Sequence, residues 1–170
     1  MGEMVRIAVC VDDTDDLSKS TSTGKVAEVI AGHVARLGGT VELGVSRHQL
    51  LLDERVPYTS HNSSMAFTAK IPAGKLSELG ECARGAVRDM RAASSDPGLC
   101  LACLPEDGGD ASLARLIAFG RKAKTSYIAK CEAHALAESI SWLSLEELGG
   151  DGQGVVGALA GVGLRLSGND

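Results

Sequence analysis

A short β-branched run that ends in a block of carboxylates is the strongest constraint in this chain. Val5 to Val11 reads VRIAVCV, and Asp12, Asp13, Asp15 and Asp16 follow within five residues. A hydroxyl run comes next (Ser18, Ser20, Thr21, Ser22, Thr23), then Gly24-Lys25. Val26, Val29, Ile30, Val34 and Leu37 then recur at helical spacing. The stretch therefore predicts a strand buried on both faces, a polar loop, and a helix capped by Ser22 or Thr23 and ended by Gly38-Gly39.

The remaining segments alternate in the same way. Strands are expected over 40–52, 65–71 and 99–104, with a short one at 164–166. Helices are expected from Leu76 to Met90, from Leu113 onward, over most of 131–148 and over 155–161. Alternating strands and helices predict an α/β fold, a single compact domain over 1–170 with helices packed on a mixed sheet, with room for two closely packed subdomains. At 170 residues the chain can bury a core without staples. Aromatics make up only 3%, so that core must be aliphatic and alanine-rich.

Net charge −5 argues against nonspecific nucleic-acid binding by the whole surface. Five irregularly spaced cysteines do not make a disulfide framework, and Cys100-x-x-Cys103 lacks the second pair that a zinc site needs. Cys10, Cys82 and Cys131 read as packing residues, as do His33 and His134. No run reaches the roughly 18 apolar residues of a membrane helix, and the N-terminus does not read as a signal peptide. A cytoplasmic protein with reduced thiols, and no membrane partner, is the expectation.

Three segments carry candidate chemistry. Crowded carboxylates repel, and hard oxygen ligands suit Mg²⁺, which binds through one or two carboxylates plus substrate phosphates. Asp12 and Asp13 are the candidate ligands, against the alternative of a solvated, helix-capping turn. Residues 20–25, STSTGK, fail the P-loop pattern, because Lys19 stands where glycine is required and Val26 where a hydroxyl is required. A hydroxyl-rich helix start remains, suited either to phosphate or to ordinary capping. Gly152, Gly154 and Gly157 fit G-x-G-x-x-G too near the end of the sequence for a dinucleotide unit to follow. They read as a phosphate cradle or as a close helix–strand contact. His61, in a polar loop with Tyr58 and Asn62, is either a substrate contact or simply exposed.

Taken together, these pieces resemble the kinase region of the archaeal synthetase family that makes 2-agmatinylcytidine in an isoleucine tRNA. VCVDDTDDLSKSTST is similar to that family's GIDDTDS…CTT, without a gap between the acids and the hydroxyl pair. RVPYTSHNSSMAF stands in place of its P-Y-K-T-R-G-N-G segment, Asp96-Pro97-Gly98 in place of an N-P-G, and GDGQGVVGALAGVG in place of G-R-G-L-I-G-A-L-A-A-x-G.

The resemblance implies an ATP- and Mg²⁺-dependent phosphotransferase-like domain whose acceptor is an RNA or a small molecule. It implies Asp12, Asp13 and Asp15 as catalytic acids and Ser22 as a phosphoacceptor. It also implies Thr14, Thr21, Thr23, Lys25 and the three glycines as nucleotide contacts, with Tyr58, His61 and Asn62 at the substrate. Lys25, Arg47 or Arg55 would offset phosphate charge. The family's arginine in that middle segment (K-T-R-G-N-G against Thr59 to Ser64) is replaced by His61. Its OB-fold and zinc ribbon have no counterpart in the 170 residues, so tRNA would be bound only with a partner that supplies them. A non-catalytic nucleotide- or metal-binding module is the alternative function.

Overall fold

The computed structural model describes residues 2–18, 21–56, 62–108 and 111–170. The chain runs β1 (Met4–Asp12), α1 (Thr23–Arg36), β2 (Thr40–Gln49), β3 (Ser63–Pro72), α2 (Leu76–Met90) and β4 (Gly98–Cys103). It continues with α3 (Ala111–Thr125), α4 (Lys130–Glu138), β5 (Leu143–Glu147) and α5 (Val155–Ser167). The sheet order is β2-β3-β1-β4-β5.

The α/β class and the single domain are as expected, but the sheet is not mixed. Every neighbouring pair is antiparallel. The reason lies in the crossovers. The β1–α1–β2 and β3–α2–β4 units each skip a strand position, and β3 and β4 run antiparallel on either side of β1. This is the split βαβ arrangement of ferredoxin-like folds, here with β5 added at the edge. Strand–helix alternation alone does not separate it from a parallel sheet.

The central strand sorts its residues by size. Ile7, Val9 and Val11 face α1 and α2 in one core, with Phe67, Ile71 and Leu79. Ala8 and Cys10 face the other core, with Ala66, Cys100 and the apolar residues of α3 and α5. The small side chains on this second face let α5 lie close to the sheet. A Cβ at Gly161 would stand 2.4 Å from Cys10 Sγ, and one at Gly163 2.2 Å from the Leu116 carbonyl oxygen of α3. Gly161 and Gly163 are therefore contact residues, and these contacts offset their poor helix propensity.

The last predicted helix and strand are in fact one helix, α5, and residues 143–147 form a strand where a helix was expected. Cys131 is exposed, not packed, and His134 is hydrogen-bonded to Glu147 at 2.8 Å. The far end of α5 is pinned by polar contacts. Arg165 donates to Ser46 Oγ and to the Glu42 carbonyl, both at 2.7 Å, across the irregularity in β2. Fully buried His48 lies between Ser46 Oγ at 2.7 Å and the Asp170 carboxylate at 2.8 Å. Among the described residues no helix is long and apolar enough to cross a membrane.

Candidate nucleotide and metal site

Three chain segments that are remote in sequence meet where β1 leaves the sheet. Asp12 is the last residue of β1, and Asp13 adopts a left-handed conformation (φ 55°). That turn lets the Asp13 N–H donate to Asp12 Oδ1 at 2.7 Å. Thr14 is buried, and its hydroxyl donates to Thr23 Oγ1 at 3.0 Å, tying the acidic loop to the first residue of α1. Ser22 caps α1, its Oγ accepting from the Lys25 N–H at 3.2 Å.

From the other side, α5 begins against the same spot. The Gly154 N–H donates to the Asp96 carbonyl at 2.8 Å. A Cβ at Gly154 would lie 2.9 Å from the Asp12 carbonyl oxygen, and one at Gly157 only 1.6 Å from Asp12 Oδ2. Gly154 and Gly157 thus match the close-contact reading made for them. They allow a close helix–strand contact, and they leave open the space in front of Asp12.

That space is a cleft of about 220 Å³. Asp12, Asp13, Asp15, Ser22, Thr23, Asn62, Gly154 and Gly157 line it, together with Arg47 of β2. Its remaining walls are mostly apolar: Leu50, Leu51 and Val56 after β2, Tyr127 and Ile128 between α3 and α4, and Val156 of α5. Sequence reading missed this wall, because Leu50, Leu51, Val56, Tyr127 and Ile128 lie in connections between elements that only the fold brings together.

Four proposed contacts fall outside the lining. Thr14 is occupied with Thr23, and Thr21 is not among the lining residues. The Lys25 ammonium lies 3.6 Å from Glu28. Gly152 occupies a left-handed turn (φ 73°) against the Glu147 carboxylate. Tyr58 and His61 lie outside the described residues. Asn62 does line the cleft, and its side-chain amide donates to the Leu51 carbonyl at 2.6 Å, so it also fixes the apolar wall.

Electrostatically, the acidic end is under stress. Burial pushes the Asp12 carboxyl well above the usual carboxylate range, with Asp13 and then Asp15 adding like charge. Asp13 is pushed up to about 6, by burial first and by Asp96, Asp15 and Asp151 as neighbours. Asp15 is raised by burial, partly offset by hydrogen bonds from Thr23. Among the described residues no group of three His, Cys, Asp or Glu side chains is placed to hold a metal ion. A two-carboxylate donor set still fits Mg²⁺, which takes further ligands from phosphates and water.

The raised Asp13 has a stability consequence with a definite sign. Its folded-state proton affinity exceeds the unfolded one. Stability from this group is therefore fully present below about pH 4 and lost as pH rises through about 6. Asp13→Asn removes that dependence, and the positive φ suits asparagine. In thermal melts with chelator, the variant should exceed the wild type by about 1–3 kcal/mol at pH 7.5, with the gap closing toward pH 4.5. An equal gap at both pH values would contradict the placement of Asp13.

No protein-family profile and no curated protein matches the chain. Solved structures do. A tRNA fluorescent labeling enzyme aligns with a TM-score of 0.76 at 23% identity, over 93% of this chain and 36% of that one. Apo TiaS, a tRNA agmatidine synthetase, aligns with a TM-score of 0.72 at 22% identity, over 93% and 35%. TiaS in complex with its tRNA and ATP gives a TM-score of 0.72 at 23% identity, over 94% and 36%. The chain thus shares the fold of one part of these enzymes and spans 36% or less of their length.

Proposed function

We propose that this chain is an ATP- and Mg²⁺-dependent phosphotransferase-like domain whose acceptor is an RNA or a small molecule. The observation that carries the reading is the convergence of Asp12 and Asp13 with the N-termini of α1 and α5 on one cleft. Helix N-termini present free N–H groups and positive dipole ends to phosphate. Phosphoryl transfer needs mainly positioning and charge stabilisation, and this cleft offers both. The fold shared with TiaS, one of whose structures holds ATP, supports the same reading.

Asp12 and Asp13 would hold the cation. A bound Mg²⁺ would neutralise polyphosphate charge and relieve the repulsion between the two carboxylates. Arg47, which donates to Ser63 Oγ at 2.9 Å, would meet phosphate from the β2 side. Ser22 Oγ, on the cleft at the start of α1, is the candidate acceptor within the chain. Its oxygen would bond to the γ-phosphorus as the β–γ bridging P–O bond breaks, releasing ADP, with the hydroxyl proton passing to Asp15 or solvent. A tRNA would be an acceptor only with a partner supplying the rest of the tRNA-binding surface.

One observation favours the alternative of a non-catalytic nucleotide- or metal-binding module. Among the described residues Arg47 is the one cation that lines the cleft. Calorimetric titration with ATP and Mg²⁺, followed by phosphate-release and intact-mass measurements, separates the readings. The proposal expects Mg²⁺-dependent binding, then slow ADP formation or phosphorylation of Ser22. Binding without either product supports the module, and no binding at millimolar ATP removes both the phosphotransferase and a nucleotide-binding module, leaving only a metal-binding one.

A further inference from the structure

Arg47 is anchored by neutral side chains. Its Nε donates to Ser63 Oγ at 2.9 Å and its Nη2 to Gln49 Oε1 at 3.3 Å. Ser63 Oγ in turn donates to Gln49 Oε1 at 3.4 Å, which closes a ring of three side chains from β2 and β3. Gln49 is itself oriented. Its Nε2 donates to the Asn62 carbonyl at 2.9 Å and to the Leu50 carbonyl at 3.1 Å. A carbonyl only accepts, so the amide nitrogen must face these two groups, and the amide oxygen is left for Arg47.

Among the described residues no carboxylate pairs with Arg47, whereas Lys25, Arg55 and Arg84 are each paired with one. The charge of Arg47 is thus fixed in place without being cancelled. A guanidinium has five N–H donors in a rigid plane, and this one uses two of them on Ser63 and Gln49. Nη1 and the second N–H of Nη2 remain as an end-on fork, a geometry that matches phosphate oxygens.

The arm belongs to the α1 side of the cleft. Arg47 pairs with Met65 across the β2–β3 ladder, and a Cβ at Gly24 would stand 3.8 Å from Met65 Sδ. Arg47, Met65 and the α1 cap Ser22 all line the cleft. Resting on the phosphotransfer reading, we propose that Gln49 and Ser63 are positioning residues that aim the Arg47 fork at the phosphoryl group bound for Ser22. Neutral anchors suit that role, since a carboxylate in their place would cancel the charge that meets the phosphate. The arm acts on the γ-phosphate alone and makes the cleft prefer a triphosphate to a diphosphate.

The test compares ATP with ADP by calorimetry in Mg²⁺ buffer. Arg47→Met should weaken ATP about tenfold or more and leave ADP within about twofold. Gln49→Met keeps the length of the side chain and removes the amide. It should weaken ATP about three- to tenfold, again sparing ADP. Added to Arg47→Met it should cost nothing further, because it acts only through the guanidinium. Ser63→Ala should repeat this pattern with a smaller loss. If Gln49→Met weakened both nucleotides, or weakened ATP equally with and without Arg47, its positioning role would be overturned. If Arg47→Met left ATP unchanged, or lost both nucleotides together, the γ-phosphate assignment would be overturned and the nucleotide reading would stand. If the wild type bound neither nucleotide, both would fall.

Discussion

Asp12→Asn is expected to lower phosphoryl transfer from ATP by about 10²- to 10³-fold while raising the thermal stability of the ligand-free domain. The two effects have one cause. Asp12 is only 9% exposed, and burial disfavours the charge of its carboxyl. The amide keeps its shape and its oxygen can still accept from the Asp13 N–H, so the loop geometry is retained. What disappears is the anion, a cost to the empty fold and the proposed ligand of the cation. Activity and stability moving in opposite directions exclude simple unfolding as the cause of the loss. A variant that is both less active and less stable would show that Asp12 holds the fold together rather than the metal. Phosphate release and thermal melts on the same preparation read both quantities.

Gly157→Ala is the second change with a large expected effect, and its sign opposes simple propensity. In an open helix position, alanine in place of glycine gains up to about 1 kcal/mol. At Gly157 the added methyl would sit 1.6 Å from Asp12 Oδ2 and 2.6 Å from its Cγ. Asp12 cannot readily yield, since it ends the central strand and its other oxygen is tied to the loop. Overpacking of this kind costs about 1–3 kcal/mol, and the displaced carboxylate would no longer serve a cation. The domain should therefore melt lower and lose the proposed Mg²⁺-dependent nucleotide binding. Gly85 in α2 is the control. A Cβ there meets nothing within 4 Å, so Gly85→Ala should stabilise without touching binding. If both variants stabilised the domain, the tight contact between α5 and β1 would be wrong.

The first quarter of the fold could be read from local chemistry. The β-branched run, the acidic loop, the Ser22 cap and the Gly38 turn (φ 85°) each act over a few residues. The elements that resisted are set by distant contacts. The glycines of α5 look like helix breakers until Cys10, Ser64 and Leu116 are placed against them. In β5, Leu143 and Leu145 alternate with Ser144 and Glu146 over only five residues, too short a pattern to outweigh the alanine-rich helix before it. Strand order depends on which positions the crossovers skip, and hydrophobic period does not encode that.

The candidate site divides in the same way. Its charged half was legible, because carboxylates crowded at a strand end are conspicuous. Its apolar half was not. Leu50, Leu51, Tyr127 and Ile128 are about 75 residues apart in two pairs, joined by the Leu51 N–H bond to the Ala123 carbonyl at 3.0 Å. Lys25 shows the converse. It sits in an inviting motif, yet its ammonium is turned to Glu28, along the outside of α1.

One cleft between β1 and α5 is proposed to hold both a divalent cation and a triphosphate. A crystal structure obtained with ATP and Mg²⁺ tests it most directly. Density should bridge the Asp12 and Asp13 carboxylates to the first turn of α5. A triphosphate bound elsewhere on the domain, or a cleft still empty at millimolar ATP and Mg²⁺, would contradict it.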